Sequence, residues 1–237
     1  MSNPQIIKAL DVVLPCYNPI TKQWANEVIE EFKHLENAVS PTKLNLIIVN
    51  DGSTTLLAEG FDAIKAEINN FELVDYTENR GKGHALREGF KASKAGFVIY
   101  TDIDFPYTSQ SFKNIFNSLN KGNVLAVGYR DNDYYKDIPW FRKWLSKFLR
   151  KLIQTMLNTD VTDSQCGIKG FNAKGKDIFL QTTIDRYLFD LELIKIASKK
   201  VTIAKVPVEL KPNVVFTSMS LKVLLQESTN FFKILLR

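Results

Sequence analysis

Apolar residues fall in short blocks separated by stretches of helical spacing. Residues 11–16 (DVVLPC) read as a buried strand that ends at Pro15. Trp24, Val28, Ile29, Phe32 and Leu35 recur at the spacing of one helix face and predict a helix over 22–36. Residues 44–50 (LNLIIVN) are rich in β-branched residues and predict a second strand. Asp51-Gly52-Ser53 then marks a turn, and Ser53 or Thr54 is expected to cap a helix running to about Asn70. Further strands are expected at 72–76 and 96–101, with a helix opened by Gly81-Lys82-Gly83 between them. The same pattern predicts strands over 122–127 and 201–208, and helices near 139–157, 174–181, 186–199 and 219–236.

Alternation of strand and helix from residue 11 to residue 128 predicts parallel βαβ units. The fold class is therefore α/β, with a Rossmann-like, mostly parallel central sheet flanked by helices in a single domain. That domain is placed at residues 1–212, followed by a C-terminal amphipathic helical segment at 213–237. No internal repeat and no linker rich in Pro, Gly and Ser divides the chain.

Composition narrows the class without choosing a ligand. Of 237 residues, 45% are hydrophobic and 24% charged, which excludes a disordered or fibrous chain. The net charge of +5 suits a phosphorylated ligand, an anionic membrane surface or a nucleic acid and does not choose among them. The motifs below, not the charge, leave nucleic acid out of the expected partners. Two cysteines, Cys16 and Cys166, form no CxxC pair, and a reduced, cytoplasmic protein is expected. The first residues carry no signal-peptide pattern, and no window of about 18 consecutive apolar residues predicts a membrane span.

In open α/β sheets, ligands bind beyond the carboxyl ends of the strands. Four consecutive strand ends here carry polar groups: Pro15-Cys16-Tyr17-Asn18, Asn50-Asp51-Gly52-Ser53, Glu78 to Gly83, and Asp102-Ile103-Asp104. Each alone has an ordinary explanation as a turn. In extended backbone, Asp102 and Asp104 would point the same way and face one divalent cation, Mg²⁺ or Mn²⁺. Asp51 lies where a carboxylate can meet a ribose or base edge. Lys82, at a helix N-terminus between two glycines, is placed to neutralise a diphosphate. Neither a Walker loop nor a GxGxxG after the first strand is present.

Taken together, LPCYNP, IIVNDGST, ENRGKGHALREGF and YTDIDFPY resemble, in order and spacing, the family 2 glycosyltransferases of the GT-A fold. VGYR, DSQCGIKGF, FDLELI and VPVEL resemble the branch that transfers a hexose to a polyprenyl phosphate. The resemblance covers roughly residues 10–212. It implies an inverting transfer of a hexose from a UDP- or GDP-linked sugar. It places Pro15, Tyr17 and Asn18 in the first nucleotide-contacting loop and Asp51 at the base or ribose. It places Arg80, Gly81 and Lys82 near the base and diphosphate, and Arg130 near the phosphates. Asp102 and Asp104 match the D-x-D, with Asp104 the more direct metal ligand. Asp163 is the expected catalytic group and Gln165 lies on the acceptor side. Many relatives have a Gln shortly after the D-x-D, where this chain has Phe105-Pro106-Tyr107.

The implied acceptor is a polyprenyl phosphate. The alternatives are a sugar hydroxyl in glycan synthesis, or a non-catalytic nucleotide-binding protein on the same fold. A sugar-phosphate nucleotidyltransferase is disfavoured, because LPCYNP is not a Gly-rich loop with Arg. Asp190 and Glu192 are expected to be structural. The stretch 139–157 is basic and amphipathic, which fits either peripheral contact with the cytoplasmic membrane face or an ordinary helix with its apolar stripe on the sheet and its charges in water.

Overall fold

A computed structural model describes residues 7–55, 57–130, 163–212 and 234. The expected helices at 139–157 and 219–236 lie outside the described residues, apart from Ile234. No helix among the described residues is long and apolar enough to cross a membrane.

Seven strands form one sheet: β1 Ala9–Cys16, β2 Lys43–Asp51, β3 Phe71–Tyr76, β4 Phe97–Tyr100, β5 Leu125–Arg130, β6 Lys169–Asn172 and β7 Ile203–Val208. The helices are α1 Trp24–Val39, α2 Ala58–Glu67, α3 Lys82–Ala92, α4 Ser109–Asn120, α5 Ala173–Phe179 and α6 Phe189–Ser198. The strand order is β3-β2-β1-β4-β6-β5-β7. All neighbours are parallel except β6, which runs antiparallel to both β4 and β5.

Alternation along the strands divides the core into two layers. Val12, Leu14, Leu46, Ile48 and Ile99 pack with α1, α2 and α4 on one face. Val13, Ile47, Val49, Val98 and Tyr100 pack with α3, α5 and α6 on the other. Successive strand residues point to opposite faces, so a continuous apolar run serves both layers. The second layer holds an aromatic group in which Phe90 lies 5.0 Å from Phe171 and 4.2 Å from Phe179, between ring centroids. Each such pair contributes about 1 kcal/mol beyond its burial.

Two expectations are corrected, and one strand is added. Ser53 and Thr54 do not cap α2, which begins after Leu57 without a side-chain cap. The strand expected over 122–127 is displaced to Leu125–Arg130, because Gly122 adopts a positive φ of 86° in a turn. Strand β6 was not expected: it is four residues long and contains a lysine and a glycine, a poor strand signal. Pairing on both sides overrides that local preference. Pro207 is tolerated in β7, which lies at the sheet edge.

The chain leaves β1 for β2 and β3 on one side, then crosses through α3 to β4 on the other. This reversal opens a crevice at the carboxyl ends of β1 and β4. The loops after β1 and β4, bearing Tyr17, Asn18, Asp102 and Asp104, lie there.

Candidate active site

Beyond β4 the backbone turns at once. The Phe105 amide donates to the Asp102 carbonyl at 3.0 Å, so Asp102–Phe105 is a tight turn rather than extended chain. Asp102 and Asp104 are therefore brought together by the turn, not by strand alternation. Phe105 has a positive φ of 43°, uncommon for a residue with a side chain, and its ring is buried in the first core layer. Burial of that ring anchors the turn in a backbone conformation costing about 1–3 kcal/mol.

Lys82 donates to Asp102 Oδ1, joining the start of α3 to the end of β4. Burial opposes the Lys82 charge, but Asp102, Asp190 and Asp104 outweigh it and raise its pKa. Asp104 is exposed, and among the described residues no cation is in ion-pair contact with its carboxylate. Partial desolvation at the turn, followed by the charge of Asp102, raises its carboxyl above the ordinary range. Two crowded carboxylates form a hard-oxygen donor set that fits Mg²⁺ or Mn²⁺. No group of three or more His, Cys, Asp or Glu side chains gathers among the described residues. A cation held by two carboxylates would keep open positions for further oxygen ligands.

Asp51 is buried, and its carboxylate is filled from within the protein. Tyr76 Oη donates to Oδ1 at 2.8 Å and Asn79 Nδ2 to Oδ2 at 2.9 Å. The amides of Arg80 and Gly81 each donate at 2.8 Å. Asp51 thus organises the 79–82 loop rather than offering a carboxylate to solvent. Gly81 has a φ of 104°, and a Cβ there would lie 2.6 Å from the Asp185 carbonyl. That carbonyl accepts from the Gly83 amide at 2.7 Å and the His84 amide at 3.2 Å. These N-terminal donors of α3 are thereby satisfied by protein, which leaves Lys82 as the cationic element at this helix end.

Pro15 is the penultimate residue of β1. Tyr17 is exposed, at 49%. Asn18 has a positive φ of 44° and ties its loop to the one after β2. Its Oδ1 accepts from the Thr54 amide at 2.9 Å, and its own amide donates to Ser53 Oγ at 3.0 Å. Arg80 is exposed beside this crevice wall.

Arg130, the last residue of β5, grips Asp163 in a two-pronged contact. Nε donates to Oδ2 at 2.7 Å and Nη2 to Oδ1 at 2.8 Å. The Arg130 amide also reaches Oδ2, at 3.1 Å. Burial favours the neutral acid, but the hydrogen bonds and charge of Arg130 win and hold the Asp163 carboxyl below the ordinary range. Burial likewise opposes the guanidinium charge, yet Asp163 holds the Arg130 pKa above its usual value. Gln165 is exposed, and its Nε2 reaches the Tyr187 carbonyl at 3.5 Å.

The 163–168 segment returns to the β4 turn through Tyr107, whose hydroxyl accepts from the Gly167 amide at 2.8 Å. A Cβ on Gly167 would lie 2.5 Å from Asp102 Oδ2, so a side chain here would push that carboxylate aside. The structure therefore gathers Lys82, Asp102, Asp104, Gly167, Asp163 and Arg130 into one neighbourhood. Sequence reasoning did not find Tyr107, Tyr76 or Asn79 as supports. Their partners lie 25 to 60 residues away in sequence, as in the Tyr76–Asp51 and Tyr107–Gly167 contacts.

The chain is similar to known proteins in sequence and in fold. A dolichyl-phosphate beta-glucosyltransferase of Dictyostelium discoideum is 26% identical over 213 residues, covering 84% of this chain and 65% of that protein. Dolichyl-phosphate beta-glucosyltransferase ALG5A of Trichomonas vaginalis is 28% identical over 212 residues, covering 84% of this chain and 65% of that protein. The chain thus spans just under two thirds of the length of these relatives. Among solved structures, glucosyl-3-phosphoglycerate synthase from Mycobacterium tuberculosis, in complex with Mn²⁺, UDP and glucosyl-3-phosphoglycerate, superposes with a TM-score of 0.66. It is 16% identical, and the match covers 97% of this chain and 79% of that one, which establishes the GT-A fold. The family model for glycosyl transferase family 2 matches residues 11–179, and the chain belongs to that family.

Proposed function

We propose that this chain is an inverting hexosyltransferase that moves a sugar from a nucleoside diphosphate to a polyprenyl phosphate. The similarity to dolichyl-phosphate beta-glucosyltransferases supports the acceptor class. The observation that carries the reading is the Arg130–Asp163 fork. A hydroxyl acceptor needs a base to take its proton, and a base works best with a pKa near the working pH. Asp163 is held the other way, as a paired carboxylate below the ordinary range. A phosphate acceptor is already anionic and needs alignment, which a fixed fork supplies.

In this reading Tyr17 and Asn18 border the base, and Asp51 positions Arg80, Gly81 and Lys82 along the diphosphate. Lys82 stabilises the charge that grows on the leaving diphosphate as the glycosyl bond breaks. Asp104, with Asp102, would hold Mg²⁺ or Mn²⁺, which supplies further positive charge to the diphosphate when bound. Arg130 draws the acceptor phosphate while Asp163 fixes the guanidinium plane, and Gln165 lines the same side. The acceptor attacks the face of the anomeric carbon opposite the diphosphate, so the configuration inverts. The enzyme works on a cytoplasmic membrane face in this reading, where its acceptor is anchored.

The test supplies purified protein with a panel of radiolabelled UDP- and GDP-sugars, Mg²⁺ or Mn²⁺, and either a short-chain polyprenyl phosphate or water-soluble sugars. Transfer of label to the lipid with release of nucleoside diphosphate is expected. Transfer to the sugars alone would replace this reading with glycan synthesis. Nucleotide binding without turnover on any acceptor would replace it with a binding protein.

A further inference from the structure

A charged pair that the proposed chemistry does not use lies inside the second core layer. Lys169 opens β6 and is fully buried. The antiparallel register sets it opposite Tyr100 of β4. Its ammonium donates to Asp190 Oδ1 at 2.6 Å and to the Cys166 carbonyl at 2.7 Å. Tyr100 Oη donates to the same Asp190 oxygen. Asp190 comes from the first turn of α6, where a carboxylate also suits the helix dipole.

Such a pair is an expensive way to fill a core. Apolar residues of similar volume often stabilise as well or better, because two charges lose their hydration. What apolar residues cannot do here is bind the Cys166 carbonyl. Cys166 lies between Asp163, forked to Arg130, and Gly167, packed on Asp102. The Lys169 ammonium is therefore a fixed peg under the segment that carries the acceptor-side groups.

We propose that the Lys169–Asp190 pair is a positioning element of the transfer site, which holds the Asp163–Gly167 segment in register with Asp102 and Arg130. This rests on the hexosyl-transfer reading for its catalytic consequence, but the restraint on the segment is measurable without turnover. Displacements of about 1 Å cost on the order of 100-fold in rate when they move reacting groups.

The experiment compares the full chain with K169M and with the all-apolar variant Y100F/K169M/D190L. K169M strands the Asp190 charge in the core, and its melting temperature is expected to fall. The all-apolar variant removes every charge of the cluster, and its melting temperature is expected to recover toward wild type. Its kcat is nevertheless expected to stay about 100-fold down with donor KM unchanged. A second measurement uses a C16A background, in which Cys166 is the remaining thiol. Cys166 is fully buried, so labelling of the native protein by an aromatic disulfide reagent is slow. Loss of the peg is expected to speed that labelling in the all-apolar variant. Unchanged labelling, or a folded all-apolar variant with wild-type kcat, overturns the proposal. Faster labelling alongside a wild type that transfers no sugar overturns the hexosyl-transfer reading instead, and leaves the restraint established.

Discussion

Arg130 and Asp163 are 33 residues apart in sequence and share three hydrogen bonds, two of them side by side between guanidinium and carboxylate at 2.7 and 2.8 Å. Both groups are largely buried, with side-chain exposures of 16% and 5%. The pair joins the end of β5 to the start of the DSQCGIKGF segment. Replacing Asp163 takes from the buried Arg130 guanidinium the carboxylate that offsets its loss of hydration. Asp163→Asn is accordingly expected to lose about 3 kcal/mol of stability at neutral pH, read by chemical denaturation. With a polyprenyl phosphate acceptor, its rate loss is expected mainly in kcat/KM for the acceptor, with donor KM unchanged. A loss in donor KM alone would move Asp163 to the donor side.

The same pair sets a pH dependence with a definite sign. The folded carboxyl of Asp163 lies below its unfolded value of about 3.9, so its contribution is complete above that value. The stability difference between wild type and Asp163→Asn is expected to be flat from pH 8 to about pH 5. It shrinks only as pH falls below about 4 toward the depressed folded pKa. A difference that instead vanished between pH 7 and pH 6 would contradict a lowered pKa.

Asp51 acts through its loop, and a double-mutant cycle reads that directly. Asp51→Ala strands the amides of Arg80 and Gly81 and releases the loop that bears Lys82. Donor KM is expected to rise, and stability to fall by about 1–3 kcal/mol. If Asp51 positions Lys82, the losses of Asp51→Ala and Lys82→Met in kcat/KM do not add. Fully additive losses would give the two residues separate roles.

Asp104→Asn keeps the turn and removes an anionic oxygen from its exposed face. Metal-stimulated turnover is expected to disappear while the melting temperature changes by little. Turnover that still rises normally with added Mg²⁺ or Mn²⁺ would remove Asp104 from the metal site.

Gly167→Ala tests the closeness of the two loops. The added methyl meets Asp102 Oδ2 at 2.5 Å, so one of the two must move. A fall in kcat of tenfold or more is expected, since Asp102 also anchors Lys82 and misplacement of these groups is costly. Wild-type turnover in this variant would mean that the contact is incidental.

Much of this arrangement was legible in the sequence, for a local reason. Runs such as LNLIIVN and the spacing of Trp24, Val28 and Phe32 carry the periodicities of strand and helix, and these survive folding because each element buries a face. Alternation then forces parallel strands, and parallel strands place their loops at one end of the sheet. Asp51, Lys82, Asp102 and Asp104 stand at or just beyond those ends, whereas Asp163 was expected only from the resemblance of DSQCGIKGF. Tertiary structure alone decided which groups each one meets. Nothing near Asp51 in sequence announces that Tyr76, Asn79 and two amides fill its carboxylate. Nothing near Lys169 announces that a lysine in a four-residue strand is neutralised by Asp190, 21 residues away. Periodicity reports which face a residue buries, whereas the pairing of buried charges depends on which elements the fold brings together, and a short antiparallel strand such as β6 gains its stability only from the neighbours on either side.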